Sequence, residues 1–507
     1  MADFDERQVL EFSSRWFSAH NESTKAASFI DKLVSNKPIR DLATNPLMLT
    51  LLCLVFQERN DFDGTRADLY KQGLDVVLYR WDARRDIERD FPRGVSRATL
   101  EPLLAEIAYS RFSAGEYFFG QASLEEQIAS FFRRRHFAKE DAGIDGSQIL
   151  NSIEANTGLL VARAFNVYSF SHLTFQEYLT AQQAVRKPSL LLEMGAHIGD
   201  PSWREVWVLL STMLDADDIL VEMKIAIDLL VQQASSIQRL LHNFMEAGNK
   251  VSGYRAFYCG LELAIPLEFS QGDMERLLAQ HGSHFDRPSS SWNLATAGNT
   301  LRLPIGASVG PRRIEIDSLG FLEPKIDAAL SMAHDAAIFA GRLGISDEWE
   351  FKLSIAVLNA LMRGEMLALV ACDFGCVVSD AGGVARALHE AVEVARGLDT
   401  PFYNELLACR MEFAAAELSP EWFDKHYRLW LQRLQSAAVR HRNIGQTRGF
   451  SDLDKKLLKQ YYRGNQLLLE CMDAAPGLTA ETRESLERSM FLPIDELPSF
   501  TEARQFG

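Results

Sequence analysis

The apolar positions of this chain recur mostly at three and four residues, the spacing of one helix face. The run Leu47 to Phe56 is hydrophobic all round, which leaves no solvent face and marks a central helix. Asn45-Pro46 just before it forms a start signal: Asn can cap free N–H groups, and Pro fits a first turn where its missing N–H costs nothing. Thr65 opens the next helix, with Asp68 three residues on as an acidic variant of the capping box. Its predicted face is Leu74, Val77, Leu78 and Trp81. Helices are expected over Thr99–Arg111, Ser123–Phe132 and Ser147–Asn156. Then the period changes. Leu159 to Ala162 and Val167 to Phe170, separated by Arg163 to Asn166, read as the two strands of a hairpin. From Leu173 the helical period returns, with Phe175, Tyr178, Leu179 and Ala181 on one face and His172 at the switch.

Further along, Trp203, Val206, Trp207 and Leu210 keep helical spacing, as do Ala226, Leu229 and Leu230. Ala356, Leu358, Ala360, Leu361 and Met362 fill another helix; Ala387, Leu388, Ala391, Val392 and Val394 fill the next. Leu453, Leu457, Leu458, Tyr461 and Tyr462 begin a long one. No repeat of about 34 residues is visible, so a regular solenoid is not supported. The fold class is therefore mainly α: a helical domain at 1–92, a winged helix-turn-helix with a small β-hairpin at 93–185, and a helical domain at 186–270. An irregular linker follows at 271–320, punctuated by Pro288, Ser289 to Ser291, Gly298, Pro304, Gly306, Gly310 and Pro311. A C-terminal helical domain occupies 321–507. A length of 507 residues suits this plan at roughly 150 residues per domain.

Composition narrows the function classes. Hydrophobic content of 47% and charged content of 24% are those of a globular chain with a large core. A net charge of -16 argues against nonspecific binding to nucleic acid or to an anionic membrane, both of which need a basic face. The basic cluster Arg133-Arg134-Arg135 reads as a solvated helix end, where cations suit the C-terminal dipole. The start MADFDERQ lacks the apolar stretch of a secretory signal, and Leu47–Phe56 is about half what a bilayer needs. The six cysteines, Cys53, Cys259, Cys372, Cys376, Cys409 and Cys471, sit mostly in apolar runs and read as buried free thiols in a reducing cytosol. Cys372 and Cys376 with His389 lack the second histidine of a zinc site.

Candidate chemistry is sparse. A nucleotide hydrolase needs G-x-x-x-x-G-K-[ST], and no Gly-Lys pair exists in the chain. The acids Asp215, Asp217 and Asp218 after Val208–Leu214 read as a cap and turn cluster rather than a magnesium site. Gly306 to Gly310 matches G-x-S-x-G around Ser308, but flanking Pro304 and Pro311 argue for a plain glycine-rich loop. His281, His284 and Asp286 make only a weak metal constellation. The residues by themselves describe a soluble, mostly helical chain that is not an enzyme.

The stretch Ile39 to Cys53 (IRDLATNPLMLTLLC) and the opening DERQVLEFSSRWF resemble the first helical domain of NACHT-family signalling ATPases, including NOD-like receptors. FSHLTFQEYLTA resembles the end of the winged-helix domain in that family, and YYRGNQLLLECMDAA with SLERSMFLP resembles a helical C-terminal domain of bacterial NACHT proteins. The resemblance implies that His172 faces the nucleotide β-phosphate in the resting ADP-bound state and that Pro46 lines the adenine pocket. Both roles require a P-loop core, in cis or in trans, with its ATP or ADP and Mg. The family's P-loop, magnesium site and sensor arginine precede the first helical domain, so Met1 is expected to open a fragment, or the gene is split or degenerate. The implied function is the regulatory and sensor half of a nucleotide-switched, oligomerising signalling ATPase in bacterial anti-phage defence. In that plan residues from about 321 onward are the sensor or regulatory end. The competing readings are a free-standing helical adaptor that binds protein partners without nucleotide, and a winged-helix DNA binder, which the acidic charge disfavours.

Overall fold

The computed structural model describes residues 4–35, 40, 43–44, 46–60, 65–75, 95–134, 145–246, 251–265, 314–316, 323–368, 376–378, 382–416 and 420–497. It is mainly α, with one small antiparallel sheet and one pair of parallel strands among the described residues. The chain divides into two compact units: Met1–Leu230 with Arg463–Leu486, and Val231–Tyr462 with Glu487–Gly507.

In the first unit, α1 (Glu6–Ala19), α2 (Ser23–Ser35) and α3 (Pro46–Arg59) share one apolar core. Asp5 and Gln8 form a reciprocal capping box that fixes the start of α1, with the Gln8 N–H donating to Asp5 at 2.7 Å. Phe17, Phe29 and Phe56, one from each helix, meet with ring centroids 5.3 to 6.0 Å apart. All three rings are buried, and each such burial contributes about 1.5–3 kcal/mol. Helix α3 is central, as its all-round apolarity implies: Met48, Leu49, Leu51, Leu52, Cys53, Val55 and Phe56 are buried. Helix α4 (Arg66–Asp75) is capped as its sequence foretells. The Thr65 N–H donates to Asp68 at 2.8 Å and the Asp68 N–H donates back to the Thr65 hydroxyl at 3.3 Å. Asn45 and the expected face at Val77, Leu78 and Trp81 lie outside the described residues.

The winged helix follows: α5 (Arg97–Ser113), β1 (Phe119–Gly120), α6 (Gln121–Arg134), α7 (Gly146–Thr157), β2 (Leu160–Ala164), β3 (Val167–Phe170) and α8 (Leu173–Arg186). The strands run antiparallel in the order β1-β3-β2. The hairpin is tighter than its apolar runs suggest. Strand β2 extends through Ala164, so only Phe165 and Asn166 turn the chain, with Asn166 in the left-handed region at φ 57. Strand β1 has only two residues, too short for a periodic signal. At the start of α7 a Cβ on Gly146 would lie 2.2 Å from the Glu125 carbonyl, so glycine allows α7 to close against the α6 backbone.

Helices α9 (Leu190–Gly195), α10 (Arg204–Met213) and α11 (Ala216–Val231) continue the unit. Trp203, Val206, Trp207 and Leu210 are buried as their spacing predicts, though Trp203 sits in a short 3-10 turn before α10. In α11 the spacing is helical but the buried face is not Ala226, Leu229 and Leu230, because Leu229 is exposed. The buried face carries Ile219, Leu220, Met223 and Ile227 together with the ion pair Lys224–Asp228. Asp215 accepts the Asp218 N–H at 3.2 Å and acts as the expected cap, whereas Asp217 makes a long-range contact instead, accepting the Thr479 N–H at 3.0 Å.

The second unit begins with α12 (Ser235–Glu246) and α13 (Ser252–Ala264). It continues through β4 (Ile314–Ile316), α14 (Glu323–Arg342), α15 (Glu348–Ala368), β5 (Cys376–Val378), α16 (Gly382–Ala395), α17 (Thr400–Ala415), α18 (Pro420–Lys425) and α19 (Tyr427–Arg442). Strands β4 and β5 pair in parallel, Ile314 opposite Cys376 and Ile316 opposite Val378. Strand β4 lies within the 271–320 span read as an irregular linker; three residues gave no period to detect. Helices α13 and α14 pack closely because small residues meet: a Cβ on Gly260 would fall 2.4 Å from the Ala336 methyl. In the block α15 to α19, Ala356, Leu358, Leu361, Ala387, Leu388 and Val392 are buried, as is Trp430, whose indole N–H donates to the Cys409 carbonyl at 2.9 Å.

Candidate functional site

His172 is the N-cap of α8, in extended backbone at φ -139 and ψ 142. Its carbonyl accepts the Phe175 N–H at 3.2 Å and so closes the first turn. Its side chain does not cap the helix. The half-buried imidazole meets the Phe175 ring at 6.4 Å, nearly perpendicular. Burial first, and the Arg163 cation second, hold its titration below the ordinary histidine range. At neutral pH the ring is therefore a neutral donor and acceptor beside the positive end of a helix dipole.

The wing holds this residue in place. Glu154 of α7 accepts the Ala162 N–H at 2.7 Å and the Tyr168 hydroxyl at 3.1 Å, tying both strands to the helix before them. The Ser171 N–H donates to the Leu159 carbonyl at 2.8 Å. Arg163 reaches from β2 across β3, donating to the Ser169 hydroxyl at 2.8 Å and to the Phe170 and Ser171 carbonyls at 3.3 and 2.9 Å.

Pro46 is the first residue of α3 and is half-buried. Its carbonyl accepts the Thr50 hydroxyl at 2.9 Å. Among the described residues no hydrogen bond or ring contact joins Pro46 to His172; helix α4 packs on α3, α8 and α10. There the Tyr70 and Tyr178 rings stack at 5.7 Å and 7°. Glu205 of α10 accepts Arg66 at 2.7 Å and the Tyr70 hydroxyl at 3.1 Å. Burial, reinforced by the Glu205 charge, pushes the Glu177 carboxyl up to about 7. Sequence reasoning missed this cluster. Arg66 and Glu205 are 139 residues apart, so no local spacing marks them as partners.

The basic cluster is a helix end and the described cysteines are buried thiols, as their sequence reads. Arg133 and Arg134 are paired with Glu126 and Glu106, which neutralises the basic patch; Arg135 lies outside the described residues. Cys53, Cys259, Cys409 and Cys471 are buried free thiols. Burial pushes the Cys53 thiol up to about 12 and the Cys409 thiol up to about 11. Among the described residues no group of three His, Cys, Asp or Glu could hold a metal, and no helix is long and apolar enough to cross a membrane. Cys372, Ser308, His281, His284 and Asp286 lie outside the described residues.

The helix–wing–helix unit ending in α8 is matched, over residues 66–184, by the family model described as "Winged helix-turn-helix domain C-terminal to NACHT". Residues 405–493 match the model described as "NACHT C-terminal Helical domain 2". The chain thus carries two regions of the kind found C-terminal to NACHT in that family. Both matched NACHT regions are non-catalytic domains of the family. The NACHT winged-helix match takes in Arg66 and Tyr70 of α4, so the Glu205-binding residues fall inside it. No curated protein matches the chain.

Proposed function

We propose that this chain is the regulatory and sensor half of a NACHT-type switch, in which His172 donates a hydrogen bond to the β-phosphate of a nucleotide held by a P-loop core in cis or in trans. The observation that carries this reading is the imidazole at the wing–helix junction. It is half-buried, kept neutral, and left without a hydrogen bond to its own helix. A helix N-terminus favours an anion, and a neutral imidazole can donate to phosphate oxygen. Pro46, at the mouth of α3, supplies apolar contact to the adenine. The core would contribute the P-loop and the Mg bound with ATP or ADP. With ADP bound, the winged helix is locked on the core; exchange for ATP and a sensed ligand releases it to oligomerise. The resemblance of the C-terminal segment to bacterial NACHT proteins gives defence against phage as the biological setting.

The test is ADP binding by calorimetry, for this chain alone and for the chain completed by its P-loop core. Binding is expected only with the core, and His172→Ala is expected to weaken it about tenfold, the worth of one hydrogen bond to a charged group. Equal affinity in wild type and His172→Ala removes the phosphate role. ATP turnover by the isolated chain overturns the division of labour. Assembly with protein partners that ignores nucleotide favours the adaptor reading.

A further inference from the structure

The wing contains a side chain whose contacts converge on the residues that deliver His172. Arg163 is an exposed residue on β2, yet its guanidinium does not point freely into solvent. Its Nε donates to the Ser169 hydroxyl at 2.8 Å. Its Nη2 donates to the Ser171 carbonyl at 2.9 Å and to the Phe170 carbonyl at 3.3 Å. Those three acceptors belong to the three residues immediately before His172. The Ser169 hydroxyl in turn donates to the Phe170 carbonyl at 2.7 Å, so the same peptide is held twice. The planar fork of an arginine suits such a set of acceptors; a lysine ammonium, a compact point charge, cannot span them in one geometry.

These contacts sit at a sensitive place. Ser171 has to leave the strand ladder and His172 has to remain extended for its carbonyl to open the first turn of α8. Carbonyl oxygens at the end of β3 would otherwise compete for water and let the junction rotate. We propose that Arg163 is the positioning residue for His172: its fork, Nε on the Ser169 hydroxyl and Nη2 on the Phe170 and Ser171 carbonyls, sets the direction in which the imidazole is presented to a phosphate-bearing anion. The proposal rests on the phosphate reading of His172 for its ligand, but the positioning itself is a property of this chain. Arg163 also supplies a fixed positive charge beside the ring. That charge favours the neutral imidazole before an anion arrives, and it adds attraction for a diphosphate over a neutral sugar or base.

The test uses the full chain with 13C-labelled histidine, the His172 signal being assigned by its loss in His172→Ala. Arg163→Gln is expected to raise the His172 titration midpoint toward the ordinary value near 6.5, because the neighbouring cation is gone. Arg163→Lys keeps a cation and is expected to hold the midpoint lower than Arg163→Gln does. Hydrogen exchange of the Ser171 and His172 amides is expected to quicken in both variants, because both lose the fork. With the P-loop core supplied, Arg163→Lys is expected to weaken ADP binding several-fold, and to have no further effect in a His172→Ala background. A His172 midpoint and amide exchange unchanged in Arg163→Gln overturn the positioning role. An Arg163→Lys loss that persists undiminished in His172→Ala also overturns it, by showing that Arg163 acts other than through His172. If His172→Ala alone leaves ADP binding unchanged, the phosphate reading fails, while the titration and exchange measurements still decide whether Arg163 positions the ring.

Discussion

Removing the Glu262 carboxylate should destabilise the second unit more than any surface change in it. Glu262 lies in α13 and is fully buried. One carboxylate oxygen accepts the Gly445 and Gln446 N–H groups at 2.5 and 3.0 Å. The other accepts the Thr447 N–H at 2.9 Å and its hydroxyl at 2.7 Å. The loop after α19 is thus anchored to α13 by four donors on one acid. Burial is the larger influence on its titration and raises it, while the four donors pull the other way. Glu262→Ala orphans three backbone N–H groups. At about 1–3 kcal/mol for each buried unsatisfied donor, the ceiling is roughly 9 kcal/mol. Relaxation of the loop toward water should bring the loss to about 3–5 kcal/mol. Glu262→Gln keeps one acceptor oxygen and turns an NH2 toward two donors, so a loss of about 2 kcal/mol is expected. The assay is urea unfolding followed by a probe in this unit, since two units need not unfold in one transition. If Glu262→Ala shifts the midpoint by less than the equivalent of about 0.5 kcal/mol, a surface-like effect, the anchoring argument is wrong.

Two further outcomes follow from packing and burial. Gly260→Ala should cost about 1–3 kcal/mol in thermal unfolding, because the new methyl would sit 2.4 Å from Ala336 and 2.8 Å from the Tyr462 hydroxyl. For Glu177 the folded-state value is raised from 4.5 to about 7, so the folded state favours the protonated acid. Stability from this group is present below pH 4.5 and is lost as the pH rises to 7; the Glu177→Gln variant should lack that slope in pH-dependent unfolding.

Much of the fold was legible because its signals are local. The change of period at Phe170–Leu173, the Thr65–Asp68 cap and the all-apolar α3 each depend on neighbours within one or two turns, and each appears as read. What stayed hidden is non-local. Lys224 and Asp228 look like a solvated i,i+4 pair, yet both are buried, and so the apolar residue Leu229 faces out. Glu262 meets its loop across 183 residues, and β4 finds β5 across more than 50 residues, with strands too short to show alternation. At the candidate site, the position of His172 was readable, but its control by Arg163 was not: an arginine on β2, nine residues away, gives no spacing signal, and only the hairpin register brings it back to the junction.

The two-residue strand β1 has a mechanical consequence. Gly120 pairs with Val167 at one end of β3, and the Gln121 N–H, the first of α6, donates to the Asn166 carbonyl at 2.9 Å. At the other end of β3, two residues past Phe170, α8 begins after His172. The N-termini of α6 and α8 are thus bolted to opposite ends of one strut, about 13 Å long for four residues. A force on the wing cannot be absorbed by a loose hairpin; it has to tilt both helices together, so a load applied at the exposed Phe165 tip would be felt at the imidazole as a rotation of the whole crank.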